Sequence, residues 1–235
     1  MTYKSFDAVI GIQCRYSSNR LPGKAMLPIL STTLLGATIL RSISTKLDTY
    51  VLTSTEETDD VIANYASNFK IKNVIRGPLD NVQERYRKLA KKSKAKYIIR
   101  VTADNPFTDS FAILELLKYS IYLKSNYSRF SDLEIPTGFH SECFKSDQLF
   151  MPENQCSLSD EHVTYAMRNK SNFSSIKGLG YNLDRSILKN LTCTVDTLSD
   201  YKKALKLSSN LNIKDLSSMH LTKILLKQYY ESNNN

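Results

Sequence analysis

Short apolar runs alternate along the first half of the chain with stretches whose apolar residues recur three or four positions apart. Ala8-Val9-Ile10-Gly11-Ile12-Gln13 is a compact apolar run and predicts a buried strand. A loop rich in turn formers and cations follows from Cys14 to Pro28, and then Leu35, Ile39, Leu40, Ile43 and Leu47 recur at helical spacing. Tyr50 to Thr53 predicts a second strand, and Val61, Ile62, Tyr65 and Phe69 a second helix. Asn73 to Ile75 is a third strand. Asp80 is the expected N-cap of a third helix, carried by Val82, Tyr86 and Leu89. Tyr97 to Thr102 is a fourth strand and Phe111 to Leu123 a fourth helix. Alternation of this kind predicts a parallel sheet covered on both faces. Ligands of such sheets bind beyond the carboxyl ends of the strands.

The pattern weakens after residue 125. Glu134 to Phe144, with Pro136 and Gly138, reads as irregular or hairpin-like. Glu161 to Arg168 reads as helix, Leu191 to Val195 as strand, Leu198 to Leu207 as helix, and Lys214 to Tyr230 as a last amphipathic helix. A single domain over residues 1–231 is expected, with a frayed tail at 232–235.

Composition narrows the class. With 41% apolar and 23% charged residues the 235-residue chain is a globular protein able to bury a core without staples. No apolar run approaches a membrane span and the start lacks a signal-peptide layout, so a cytoplasmic protein is expected. Cys14, Cys143, Cys156 and Cys193 form no C-x-x-C pair, and His140, His162 and His220 show no metal spacing. The net charge of +9 is spread over the chain. Its one dense run, Arg87 to Lys96, fits a solvated helix end, so nucleic acid is not expected as a partner. Diffuse positive charge still favours a polyanionic small molecule.

The candidate chemistry sits at strand ends. Arg15, Arg20 and Lys24 share one short loop after the first strand, with small residues and Gly23 letting backbone amides approach. Arginine forks and a lysine point charge suit a triphosphate. The loop is not a Walker A motif, because Ser18 and Ala25 stand where Gly and Ser or Thr are required. On composition alone an ordinary basic turn is an equal reading. Asp104 follows the fourth strand, and Asp196 follows the Leu191–Val195 run. Each reads equally as a helix cap or turn residue, but together they could share Mg²⁺, which needs few protein carboxylates. Cys14 reads as a packed thiol, and for His162 acceptor contact and local capping are both open.

These pieces, in this order, resemble the bacterial sugar-acid cytidylyltransferases, the group of the spore coat polysaccharide biosynthesis protein SpsF. The likeness runs from IQCRYSSNRLPGKAMLPI through STEETDDVIANYA, VIRGPLDNVQERY, RVTADNPFTD, PTGFHSECF and DEHVTYAMRN to CTVDTLSDYKKA. The 3-deoxy-manno-octulosonate and acylneuraminate cytidylyltransferases resemble it more distantly. The resemblance implies a Rossmann-like three-layer α/β/α sandwich of the glycosyltransferase-A type, with a nucleotide-binding half to about residue 125 and an acceptor half beyond. It implies transfer of CMP from CTP to a sugar, sugar acid or related acceptor, with Mg²⁺ as cofactor and pyrophosphate as leaving group.

Carried over by motif, Arg15, Arg20 and Lys24 hold the triphosphate, with Arg15, Lys24 and Asp104 as catalytic groups. Asp104 and Asp196 hold the metal, Gln13, Ser54 and Arg76 lie around base and ribose, and His140, Glu142 and His162 lie on the acceptor side. His140 departs from the group, which often carries an acid there, and this bears on the acceptor rather than the nucleotide. Relatives tend to be dimers, and the apolar C-terminal helix offers a surface for a homodimer. A glycosyltransferase of the same fold would show an Asp-x-Asp motif, but Thr102 and Pro106 flank Asp104 at that spacing. A non-catalytic nucleotide-binding protein would have no need of the carboxylate pair.

Overall fold

The computed structural model describes residues 8–130, 135–154, 158, 160, 162–168, 173–176, 185–188, 190–209, 211, 213 and 218–233. Strands β1 (Ala8–Gln13), β4 (Asp48–Ser54), β5 (Asn73–Gly77) and β6 (Tyr97–Thr102) pair in parallel. They form one side of a sheet that β7 (Tyr127–Phe130), β8 (Glu142–Lys145) and β9 (Phe173–Ile176) extend, with β8 antiparallel to both β6 and β7. The order of its seven strands is β5-β4-β1-β6-β8-β7-β9. A two-stranded ribbon, β2 (Pro28–Ile29) and β3 (Thr32–Thr33), closes the basic loop. The α/β class with a mostly parallel sheet is as expected.

Side chains alternate across the sheet, as strand geometry requires. Ile10, Ile12, Val51, Ile99 and Val101 pack on the face covered by α1 (Leu34–Ile43) and α4 (Ser110–Tyr122). Val9, Tyr50, Leu52 and Ile75 pack on the other face against Tyr86 and Leu89 of α3 (Val82–Ser93). Strands buried on both faces read as continuous apolar runs, which explains why the first four were legible. Helix α2 (Asp60–Ser67) follows β4.

Several boundaries differ from the sequence reading. Helix α3 is capped by Asn81, not Asp80: the Asn81 carboxamide oxygen accepts from Glu84 N at 2.7 Å. The stretch read as irregular or hairpin-like ends in β8, which pairs antiparallel with β7 as a hairpin would and is carried inside the sheet by its further pairing with β6. The segment from Glu161 is helical only as α5 (Tyr165–Arg168), and Glu161 itself lies outside the described residues. Leu191, Cys193 and Val195 are buried as a strand would bury them, yet among the described residues the segment makes only the isolated bridge Thr137–Thr192. Its backbone bonds go to Thr137 and to the loop after β6 instead of to a ladder. Past α6 (Arg185–Leu188) and this segment come α7 (Leu198–Ser208) and α8 (Ser218–Asn233), the latter running two residues into the expected tail. No described helix is long and apolar enough to cross a membrane.

Candidate active site

The carboxyl ends of β1 and β6 lie side by side, and the chain leaving each is tied to its neighbour. Ala103 N donates to Gln13 O at 3.0 Å, and Cys14 N to Leu52 O at 3.0 Å. The basic loop therefore begins at the centre of the sheet's ligand edge. Its shape is fixed by local bonds. Ser18 N and Gly23 N both donate to Tyr16 O, at 2.9 and 2.8 Å, and Gly23 adopts φ 70°, a left-handed conformation that favours glycine. Lys24 then opens a short 3₁₀ turn and points back into the fold.

A second anchor comes from Asp59, which sequence reading passed over. Tyr16 N donates to its Oδ1 at 2.7 Å, while Thr53 Oγ1 and Ser54 N donate to its Oδ2, each at 2.8 Å. Burial works to raise this carboxyl, but the hydrogen bonds from Ser54, Tyr16 and Thr53 outweigh it and hold the pKa below the ordinary value. One buried carboxylate thus ties the start of the basic loop to the end of β4.

The carboxylates meet at Lys24. Its ammonium donates to Asp104 Oδ2 at 2.9 Å, Asp196 Oδ1 at 3.0 Å and Val195 O at 2.8 Å. Arg20 reaches the same Asp196 oxygen at 2.8 Å from an exposed position. Asp196 stands 92 residues from Asp104 in sequence, and two bonds bring their segments together. Val195 N donates to Asp104 O at 2.9 Å and Thr194 Oγ1 to Asn105 Oδ1 at 2.8 Å, while Cys193 N donates to Thr137 O at 2.9 Å. Neither aspartate is a helix cap. Asp109 caps α4, and Thr197 caps α7 in a capping box with Asp200. Both are left to face the cavity.

That cavity has a volume of about 310 Å³, and Gln13, Arg15, Arg20, Lys24, Asp104 and Asp196 line it. Arg85, Arg100 and His162 are also in its wall, with Val82 and Cys14 beside them. Burial pushes the Cys14 thiol well above its ordinary pKa, with Asp59 and Asp104 adding to the effect, so it is a packed thiol and not a nucleophile. Ser54 and Arg76 are not in the lining. Arg76 donates to Ser54 O at 2.7 Å, Asp60 Oδ1 at 2.5 Å and Glu56 O at 2.8 Å, clamping the turn after β4. Expected around base and ribose, Ser54 and Arg76 lie beside the cavity rather than in its wall, and their hydrogen bonds hold that turn.

A second cavity of about 150 Å³ shares the Arg100 and Thr102 wall with the first. Arg129, His140, Glu142 and Arg168 line it, so two of the three residues expected on the acceptor side are here, and His162 is next door. Glu142 is buried with both oxygens engaged. Oε2 accepts from Arg100 at 2.6 Å, while Oε1 accepts from Tyr127 Oη at 2.6 Å, from Thr164 Oγ1 at 3.0 Å and from Arg168. Burial alone would raise its pKa. The Arg100 and Arg168 guanidiniums, with hydrogen bonds from Tyr127 and Arg100, override that and hold it at about 2. Its hydrogen bonds hold Arg100 and Arg168 in place along the cavity wall. Arg100 also donates Nε–H to Gln13 Oε1 at 3.0 Å, linking the two cavities. A charged residue inside the apolar run of β6 was the available sequence signal for Arg100, while Arg85 and Arg168 lie inside the VIRGPLDNVQERY and DEHVTYAMRN stretches with no local pattern to single them out.

Known proteins share this arrangement of strands. The chain is 30% identical over 209 residues to the spore coat polysaccharide biosynthesis protein SpsF of Bacillus subtilis, covering 83% of this chain and 84% of that protein. A cytidylyltransferase structure from Leptospira borgpetersenii superposes with a TM-score of 0.86 at 25% identity, covering 96% of each chain. The structure of CMP:2-keto-3-deoxy-manno-octonic acid synthetase complexed with CTP superposes at 0.61 with 16% identity, over 86% of this chain and 98% of that one. A sequence model described as Cytidylyltransferase matches residues 8–231, from the first strand of the sheet into the last helix, and the chain accordingly belongs to the cytidylyltransferase family.

Proposed function

We propose that the protein transfers CMP from CTP to a sugar-type acceptor that carries an acidic group, releasing pyrophosphate, in the cytoplasmic synthesis of a surface polysaccharide or other glycan. One observation carries this reading: a cation-lined cavity holding a carboxylate pair shares its wall with a smaller, arginine-rich one. The first suits a nucleoside triphosphate. In the second, the guanidiniums of Arg100 and Arg168 converge on a single carboxylate, Glu142, so this pair outweighs it in charge and favours an anion. The buried Ser141 hydroxyl on the same wall has no partner among the described residues, which suits a polar ligand there.

Asp104 and Asp196 fit Mg²⁺. Both are hard oxygen donors, and both reach one point, where the Lys24 ammonium now provides the positive charge. Bound there, Mg²⁺ would supply Lewis-acid stabilisation of phosphoryl oxygens. The remaining work falls to side chains of this chain. Arg15, Arg20 and Lys24 hold the triphosphate and offset the charge that develops on departing pyrophosphate. Arg100, fixed by Glu142, sits between nucleotide and acceptor, and Arg168 grips the acceptor's acid. In-line attack of an acceptor oxygen on the α-phosphorus then depends chiefly on positioning. A homodimer is the assembly this reading adopts.

The test is pyrophosphate release from CTP and Mg²⁺ against a panel of neutral sugars, sugar acids and phosphonates. Turnover confined to the acidic acceptors is expected. Turnover with neutral sugars alone, or glycosyl transfer from a nucleotide sugar without pyrophosphate release, would refute the reading.

A further inference from the structure

Arg85 is the least solvated cation of the nucleotide cavity and the least explained. Only 1% of the residue is exposed, yet it lines the cavity beside Val82. Its guanidinium makes two long bonds to carbonyl oxygens, Nη1 to Cys14 O at 3.4 Å and Nη2 to Leu79 O at 3.3 Å. Its Nε–H is buried with no hydrogen-bond partner, and no carboxylate lies within ion-pair distance among the described residues. The nearby Asp59 is already saturated by Tyr16, Thr53 and Ser54. A buried polar donor left in this state is costly unless a ligand completes it. The fold also makes room for the side chain. A Cβ at Gly77 would stand 2.7 Å from Arg85 Cγ, so the stem lies where only glycine permits it.

The position along the sheet edge indicates which part of a nucleotide Arg85 meets. Lys24, Asp104 and Asp196 gather on the β6 side of β1, where the triphosphate and acceptor belong. Arg85 stands on the other side, on the helix following β5, with its guanidinium on the Cys14 carbonyl and the Cys14 amide bonded to β4. Triphosphate oxygens are served by the more exposed cations of the loop. A desolvated planar fork beside an apolar Val82 suits a flat, neutral ring that offers hydrogen-bond acceptors.

We infer that Arg85 reads the Watson–Crick edge of the nucleotide base and selects cytosine over uracil. The inference rests on the CTP-dependent reading above. Cytosine presents two adjacent acceptors, O2 and N3, that a guanidinium can donate to together. Uracil carries a proton on N3, so one arginine N–H would face another donor. Leaving a buried partner unpaired is what gives polar sites their discrimination, on the order of tenfold or more per bond.

Equilibrium binding tests this without an acceptor. CTP, UTP and inorganic tripolyphosphate are titrated in the presence of Mg²⁺ against the native protein, Arg85→Lys and Arg85→Gln. The native protein should prefer CTP to UTP by about tenfold or more. Both variants should lose about tenfold in CTP affinity while UTP and tripolyphosphate change less than twofold, which also shows that the variants are folded. On the native protein, 3-deaza-CTP, which has C–H in place of N3, should bind about tenfold more weakly than CTP. An equal loss for all three ligands in the variants, or undiminished 3-deaza-CTP binding, overturns the inference. Native protein that binds tripolyphosphate but does not distinguish CTP from UTP overturns it too, leaving the triphosphate site standing. Native protein that binds none of the three refutes the underlying nucleotidyl-transfer reading instead.

Discussion

Replacing Glu142 by glutamine removes one negative charge from between Arg100 and Arg168 while keeping the side chain's size. The carboxyl is 7% exposed and the Arg100 side chain 16%, so solvent does little to screen the change. The fold holds the group at about 2 against an ordinary 4.5. At 1.36 kcal/mol per pH unit this is a preference of roughly 3 kcal/mol for the ionised form, within the ~3–5 kcal/mol range for breaking a buried pair. The pKa is depressed on folding, so the contribution is complete above about pH 5 and is lost as pH falls toward 2. Glutamine imitates the protonated acid at every pH. Urea unfolding should therefore show Glu142→Gln about 3 kcal/mol less stable than the native protein at pH 7, roughly half that at pH 3, and nearly equal at pH 2. Acceptor KM should rise more than CTP KM, because Arg168 loses its anchor. A pH-independent difference, or one below about 1 kcal/mol at pH 7, would refute the assignment of Glu142 as the charge that sets these arginines.

Asp104→Ala and Lys24→Ala should each lower kcat for pyrophosphate release by about 10²–10³ with the circular dichroism spectrum unchanged; near-normal turnover in either removes that residue from the machinery. Asp59→Asn should raise CTP KM and destabilise the fold by about 1–3 kcal/mol, since it disturbs the buried acceptor for Tyr16, Thr53 and Ser54; thermal melts and CTP titration measure both, and an unchanged CTP affinity would mean that the basic loop holds its shape without Asp59. Chelation with EDTA should abolish turnover and added Mg²⁺ should restore it, while full activity in EDTA would remove the carboxylate pair from metal binding. Arg76→Ala should cost stability through the lost clamp on the turn after β4 yet leave CTP affinity within twofold; a large affinity loss would return Arg76 to the nucleotide site.

The parallel half of the sheet and the basic loop are legible from the order of residues alone. Strands such as Tyr97–Thr102 are buried on both faces, so their apolar runs are visible without any partner, and Arg15, Arg20 and Lys24 lie within ten residues of one another. The same order also supplied Asp104 and Asp196, though each looked equally like a helix cap until Asp109 and Thr197 were seen in that role. Which residues stand opposite one another is settled by the packing of distant segments. Strand β8 hides in a stretch broken by proline and glycine because its place is set by pairing with β6 and β7. Arg100, Glu142 and Arg168 come from three separate segments, and only sheet pairing and burial bring their charges together. Arg85 sits just before a run of lysines at a solvated helix end, and the chain's charge pattern does not distinguish it from them. Periodicity records which face of an element is dry, whereas a site is made where elements distant in sequence converge, and local sequence carries no record of that distance.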